Sequence, residues 1–337
     1  VHELKHPYLL FLGDDEDPLA AKTATGIAHW RRDWCIGQRR LPGCGADTGL
    51  PDMDYADAAT QGAGTLIIGV APAGGRLPER WMAEMTAALD AGLDLAAGLH
   101  SRLIDNPALA EAAEQRGRRL IDVRHPDAPI PVGRGDKRAG RRLLTVGTDT
   151  CVGKMFTALA LEAEMRQRGH KADFRATGQT GIFIAGSGIC VDAVVSDFVS
   201  GAAELLSPEA EPDHWDIVEG QGSLFHPSYA GVSLGLLHGS QPDALVLCHE
   251  AKRPHIDGME KWHLPSLEDC IDLNLGTGRL TNPDVRFIGV SINTSKLPAD
   301  EAERFLAETA EQLALPCVDP VRTGVLPLVD ALESHYA

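Results

Sequence analysis

The stretch Val146-Gly147-Thr148-Asp149-Thr150-Cys151-Val152-Gly153-Lys154-Met155 constrains the fold of this chain more than any other. Before it, Arg142–Val146 reads as a buried strand. After it, Phe156, Leu159, Ala160 and Ala163 recur at the spacing of one helical face, which runs out near Arg168-Gly169. A strand that feeds a glycine-punctuated loop and then a helix commits this part of the chain to a parallel α/β sheet. In loops of the GxxxxGK[ST] kind, backbone N–H groups and the helix N-terminus hold phosphates, the lysine neutralises them, and the Ser/Thr hydroxyl holds Mg²⁺. Met155 stands where that hydroxyl belongs. A thioether is a poor ligand for a hard cation, so this cradle is expected to grip a pyrophosphate while losing part of its Mg·ATP machinery.

The same strand, turn and helix rhythm runs along the rest of the chain. It reads at Tyr8–Gly13 with a helix over Ala20–Trp30, at Thr65–Val70 with a loop Ala71–Gly75 and a helix over Glu79–Ala91, and again around Leu93–Leu103 and Leu120–Val123. Between His125 and Gly140, HPDAPIPVGRGDKRAG combines prolines, glycines and charges, which favours extended, poorly packed backbone and reads as a linker. Further strands are expected at Ala172–Ala176, Trp215–Val218, Ala244–Cys248 and Val285–Ile292, with helices over Glu268–Leu275 and Asp300–Ala314. The fold class is therefore α/β: a doubly wound parallel sheet of P-loop type in residues 133–337, and a smaller Rossmann-like α/β domain in residues 1–132. In open sheets of this kind ligands sit outside the carboxyl ends of strands.

Composition narrows the partners. The 31 basic and 48 acidic residues leave a net charge of −17, which argues against nucleic acid or an anionic membrane. The seven cysteines are scattered with no CxxC pair, and no apolar run is long enough to span a bilayer. The N-terminus lacks a basic-then-apolar secretion signal. A cytoplasmic protein acting on small molecules is expected, with alanine-rich helical faces that suit a homo-oligomer.

Three strand-end loops carry the chemistry: Gly147–Lys154, Thr177-Gly178-Gln179-Thr180-Gly181, and Glu219-Gly220-Gln221-Gly222-Ser223-Leu224-Phe225-His226. Together they offer amides, carboxylates and backbone donors for a phosphate-bearing cosubstrate and a polar substrate. Glu219 and His226 are the candidate bases, each with an alternative structural role. Asp149 and Gln179 complete the candidate catalytic set, with Gln179, Thr180 and the amides of Gly220–Gly222 as donors to a developing oxyanion. Arg175, Lys252 and Arg253 are candidates for holding substrate carboxylates, the last two in the cluster His249-Glu250-Ala251-Lys252-Arg253-Pro254-His255. His249, His255 and Cys248 match no recognised zinc spacing, so no metal site is expected. Cys151 is either a covalent acyl carrier or a small residue that fills the loop.

Gly147–Lys154, Asp216-Ile217-Val218-Glu219-Gly220-Gln221-Gly222 and Gly289-Val290-Ser291-Ile292-Asn293-Thr294 resemble motifs of dethiobiotin synthetase, with Met155 replacing that family's last threonine. This resemblance covers about residues 140 to 300 and implies cofactor contacts from Gly147, Thr148, Thr150, Cys151, Val152, Gly153, Lys154, Met155 and Asn293. GTDTCVGKM, ATGQTG, VEGQGSLFHPSYAGVSLGLLHGSQPDALVLCHE and NTS, together with the linker, resemble along the whole chain a two-domain family long labelled as of unknown function. Its members include a D-glutamate N-acetyltransferase. The resemblance implies acetyl-CoA as donor, D-glutamate as acceptor, D-amino acid catabolism as setting, and a dehydrogenase as pathway partner. The alternative is an ATP- and Mg-dependent ligase or carboxylase similar to dethiobiotin synthetase, in which Thr148, Asp149 or Thr150 reaches the metal through water.

Overall fold

The structure, a computed structural model, describes residues 4–72, 75–126 and 128–336. Ala73 and Gly74 of the expected Ala71–Gly75 loop, and Asp127 of the expected linker, lie outside the described residues. The chain divides into two compact units, Val1–Pro129 with Gly178–Ala193, and Ile130–Thr177 with Val194–Ala337.

The first unit contains β1 (Tyr8–Gly13), α1 (Lys22–Trp30), β2 (Cys35–Arg40), α2 (Tyr55–Thr60), β3 (Thr65–Ile68), α3 (Met82–Asp90), β4 (Asp94–Ala97), α4 (Pro107–Arg116) and β5 (Leu120–Asp122). Its strands form one parallel sheet in the order β2-β1-β3-β4-β5. All of β1, β3 and β4 is buried, as expected for strands covered by helices on both faces. Leu9, Phe11, Leu66, Trp81, Met85 and Leu95 make the core. Helix α4 has little apolar patterning, but its caps define it: Asn106 Oδ1 accepts from Leu109 N at 3.2 Å, and Gly117 leaves the helix at φ +62°.

The second unit contains β6 (Arg141–Gly147), α5 (Lys154–Gln167) and β7 (Lys171–Arg175); then comes α6 (Gln179–Ala185), which belongs to the first unit. There follow α7 (Val199–Leu206), β8 (His214–Val218), α8 (Ala230–Ser240), β9 (Ala244–Glu250), a hairpin of β10 (His255–Ile256) and β11 (Met259–His263), α9 (Leu267–Gly278), β12 (Arg286–Asn293), α10 (Ala299–Leu313), β13 (Cys317–Val318) and α11 (Leu326–Tyr336). The parallel sheet runs β13-β12-β9-β6-β8-β7. The chain winds from β6 toward the β7 edge, then crosses after β8 to the other side of β6. That reversal makes β6 the switch point, and the loops leaving β6, β8 and β9 open at one edge of the sheet.

The expected linker differs from its reading. Arg134 N and Gly135 N both donate to the Glu204 carboxylate of α7, at 2.9 and 2.7 Å, and a Cβ on Gly201 would sit 1.8 Å from Pro131 O. Its prolines and glycines keep it extended, but it packs tightly on α7 because the helix offers a glycine groove and a carboxylate for the free amides. Among the described residues no helix is long and apolar enough to cross a membrane.

Candidate active site

The phosphate loop begins where β6 stops pairing. Gly147 is in register with Cys248 of β9, and Thr148 N donates to Cys248 O at 3.0 Å. Three features then bend the backbone into a cup. Asp149, fully buried, accepts from Thr150 N at 2.6 Å through Oδ1. Cys151 takes φ +54° and Gly153 takes φ +104°, the left-handed conformations a reversal into a helix requires. Val152 anchors the cup with its buried side chain. The N–H groups of Cys151, Val152, Gly153, Lys154 and Met155 donate to no described residue. A run of unspent donors at the start of a 14-residue helix has the geometry that suits an anion.

Lys154 lies across this cup. Its Nζ donates to Asp149 O at 2.6 Å, and a Cβ on Gly147 would be 2.9 Å from that nitrogen. Burial holds the ammonium well below the usual lysine range, against the pull of neighbouring groups that include Asp149 and Glu219. An anion entering the cup would add to the countercharge that Asp149 and Glu219 already set against its burial. Met155 is half-buried and brings no oxygen to the site.

The loop after β8 closes against β6 because of one glycine. Gly220 N donates to Thr145 Oγ1 at 3.0 Å, and any Cβ at Gly220 would fall 1.6 Å from Thr145 O. That approach sets the buried Glu219 beside Lys154: the same Cβ would lie 3.2 Å from Lys154 Cδ. Glu219 Oε2 accepts from Thr177 N at 2.9 Å, and Thr177 Oγ1 donates to Glu219 O at 2.6 Å. Gln221 Nε2 donates to Thr177 Oγ1 at 3.1 Å. Since the Gly220 amide is spent on Thr145, it does not serve as the oxyanion donor expected of it.

Two histidines reach the same edge. His226 is buried, and its Nδ1 accepts from Ser228 N at 3.1 Å. The neutral ring therefore carries its proton on Nε2, which lies 3.9 Å from Asp149 Oδ1. Oriented this way His226 offers no free lone pair, so it orders the loop around Asp149 and cannot take a proton without turning. His249 follows Cys248 on β9, and its Nδ1 lies 3.1 Å from Thr148 Oγ1. Burial chiefly, with the Arg253 cation adding to it and Glu250 opposing, lowers its pKa from 6.5 to about 4.

The expected substrate cations are each engaged within the protein. Arg175 Nε donates to the buried Asp216 at 2.7 Å. Lys252 pairs with Glu301 of α10. Arg253 donates from Nη1 to Asp149 Oδ2 at 2.8 Å and to Thr150 O at 3.0 Å, and from Nη2 to Glu250. Burial opposes its charge, but Asp149 and Glu250 outweigh that and hold its pKa above the usual value. Asn293 Oδ1 accepts from Ser295 N at 3.0 Å and closes a turn after β12. Gln179 and Thr180 stand in α6 of the first unit. A Cβ on Gly98 would be 2.3 Å from Gln179 Oε1, and Thr180 Oγ1 is 3.1 Å from Thr23 Oγ1 of α1.

Thr145 and Asp257 were not singled out in the sequence, and Thr177 was read only as the first residue of a strand-end loop, with no role of its own. Asp257 N, at the hairpin turn, donates to Asp149 Oδ2 at 2.8 Å and so ties the β10–β11 hairpin to the phosphate loop. Only the position of Thr177 directly after a strand could have signalled it.

Comparison with known proteins agrees with this architecture. Residues 130–329 match a model described as a domain of unknown function, DUF1611_C, P-loop domain, and residues 39–126 match DUF1611_N, Rossmann-like domain. The chain is 52% identical over 331 residues to a protein of Tritonibacter scottomollicae named D-glutamate N-acetyltransferase, covering 98% of this chain and 99% of that protein. It is 47% identical over 327 residues to a protein of the same name from a Pseudoalteromonas species, covering 97% and 98%. Among solved structures, a DUF1611 family protein from Anabaena variabilis is similar with a TM-score of 0.87 at 32% identity, covering 98% of this chain and 100% of that one.

Proposed function

The chain belongs to the DUF1611 family and is an acyltransferase, and we propose that it moves an acetyl group from acetyl-CoA to the amine of D-glutamate, in the catabolism of D-amino acids. The observation that carries the donor is the cup of five unspent amides around a buried lysine, with methionine in place of the metal-binding hydroxyl. Coenzyme A carries a pyrophosphate that such a cup holds through hydrogen bonds and one ammonium, with no step that cleaves it. The acceptor rests on the name its two relatives carry.

In this reaction the amine nitrogen forms a bond to the acetyl carbonyl carbon, and the carbonyl π pair moves to oxygen. Its return breaks the C–S bond and expels the CoA thiolate. The first ammonium proton is lost to solvent before attack, and the second leaves nitrogen once the C–N bond has formed and ends on the CoA thiolate, so one proton is released overall. Glu219 is the group we assign to that transfer, passing a proton on to the departing sulfur. Thr177 N donates to that carboxylate, and Thr177 Oγ1 donates to the Glu219 backbone carbonyl.

The test is turnover. With acetyl-CoA, D-glutamate and EDTA, the enzyme is expected to release free thiol and N-acetyl-D-glutamate in equal amounts, and L-glutamate is expected to react far more slowly. ADP formation that requires Mg²⁺, without thiol release, would instead establish the ligase chemistry of the dethiobiotin synthetase-like alternative.

A further inference from the structure

A P-loop ordinarily meets its phosphates together with Mg²⁺, which the loop's Ser/Thr hydroxyl and a nearby carboxylate help to hold in a near-octahedral shell of oxygens. The donors at this cup do not fit that ion. Met155 presents a thioether where the hydroxyl belongs. Asp149, inside the loop, has both carboxylate oxygens engaged: Oδ1 accepts from Thr150 N at 2.6 Å, and Oδ2 accepts from Arg253 Nη1 and Asp257 N, each at 2.8 Å. It is fully buried, and the Arg253 guanidinium answers its charge. Thr148 is fully buried as well, with Oγ1 3.1 Å from His249 Nδ1, and Thr150 Oγ1 lies 3.5 Å from Asp149 Oδ1. Glu219 Oε2 accepts from Thr177 N at 2.9 Å, and the carboxylate acts on the Lys154 cation. A divalent cation brought here would meet the charges of Lys154 and Arg253 in place of the hydroxyl and open carboxylate it requires.

We propose that the cup is selective for a metal-free diphosphate, with Met155 and the Asp149–Arg253 pair as its specificity-determining residues. The inference rests on the reading of the cup as the carrier's diphosphate site, and adds what that site rejects. The diphosphate of CoA is esterified at both ends and holds Mg²⁺ weakly. The terminal phosphates of ATP hold it tightly, so in millimolar Mg²⁺ ATP arrives with the ion attached. A cup of amides and one lysine accepts the diphosphate unit of either molecule. The ion decides between them: Met155 cannot take a place in its shell, and Arg253 keeps the Asp149 carboxylate from doing so. The same two features that shape the loop thus separate a thioester carrier from an abundant nucleotide that shares its diphosphate.

Calorimetric titration of the full chain with CoA and with ATP, each in EDTA and in excess Mg²⁺, tests this without any turnover. CoA is expected to bind equally in both. ATP is expected to compete with CoA in EDTA and to bind at least about 10-fold more weakly once Mg²⁺ is added. Because Mg²⁺ also neutralises part of the charge of ATP, which weakens its hold on any cationic site, a variant separates the two causes. Met155→Thr restores the missing hydroxyl and is expected to tighten Mg·ATP about 10-fold, while CoA and metal-free ATP keep their affinities. Met155→Leu is expected to keep the wild-type preference, and Met155→Ser carries the same arm should Met155→Thr fail to fold. With CoA bound as expected, the proposal alone is overturned if ATP binds as tightly with Mg²⁺ as without it, if ATP binds in neither condition, or if the restored hydroxyl leaves the preference unmoved. A chain that binds CoA in neither condition overturns this proposal and the reading of the donor site together.

Discussion

Arg253 holds Asp149 beneath the phosphate loop: its guanidinium lies 2.8 Å from a carboxylate that is fully buried and that also receives the amides of Thr150 and Asp257. The loop is thus shaped before any ligand arrives, by an ion pair whose partners come from the ends of two adjacent strands. Asp149→Ala leaves Arg253 half-buried with only Glu250 to offset it. Breaking a buried pair in this way is expected to cost about 3–5 kcal/mol, read as a shift in urea midpoint. A loss below about 1 kcal/mol, the range of a surface pair, would show that the clamp is ornamental.

Lys154 is expected to trade stability for binding. Its burial opposes its charge in the unliganded protein, so Lys154→Met, which keeps the stem and drops the charge, is expected to leave Tm unchanged or raised. The same change removes a charge-assisted contact to phosphate, about 1.5–3 kcal/mol, and should weaken CoA about 10- to 100-fold. Thermal melts and calorimetry on one preparation check both halves. A variant that melts earlier and binds normally would contradict the assignment.

Gly220 and Gly276 make an opposed pair. A methyl group on Gly220 collides with the Thr145 carbonyl of the central strand, whereas nothing lies within 4 Å of one on Gly276, on the exposed side of α9. Gly220→Ala is expected to cost several kcal/mol or abolish soluble expression, since backbone must move. Gly276→Ala is expected to stabilise by about 0.5–1 kcal/mol through lost unfolded-state freedom. Denaturation curves for the two, run together, measure the contrast.

His249 also predicts a pH dependence of stability. Its folded pKa is lowered to about 4 from 6.5. Between these values the unfolded chain binds the proton and the folded one does not, so stability is fully present above about pH 6.5 and drains away as pH falls toward 4. The ceiling for this group is about 3 kcal/mol. His249→Gln should flatten that part of the curve, and an identical slope in the variant would contradict the burial argument.

The strands that organise both units were legible because fully buried parallel strands read as short apolar runs, as at Tyr8–Gly13 and Ala244–Cys248. Cys35–Arg40 was missed: an edge strand ending in two arginines has no such run. Helices α7 and α8 were missed because their glycines and serines, which admit close packing of one helix on the other, also look like turns. At the site, the loop and Glu219 could be read from glycine spacing. What could not be read was partnership. Arg253 looked like a cation free for substrate, yet its charge is spent on Asp149 and Glu250, and only three-dimensional proximity reveals that. His249 looked like one member of a basic loop, while its Nδ1 lies 3.1 Å from the Thr148 hydroxyl at the end of the neighbouring strand.

The central claim is that the cup of amides around Lys154 holds the diphosphate of a thioester carrier without a metal. Calorimetric titration of the full chain with CoA in EDTA tests it most directly. The account predicts saturable binding of one CoA per chain, unchanged when Mg²⁺ replaces EDTA and weakened in Lys154→Met. No binding of CoA, together with Mg²⁺-dependent binding of ATP that Lys154→Met abolishes, would contradict it.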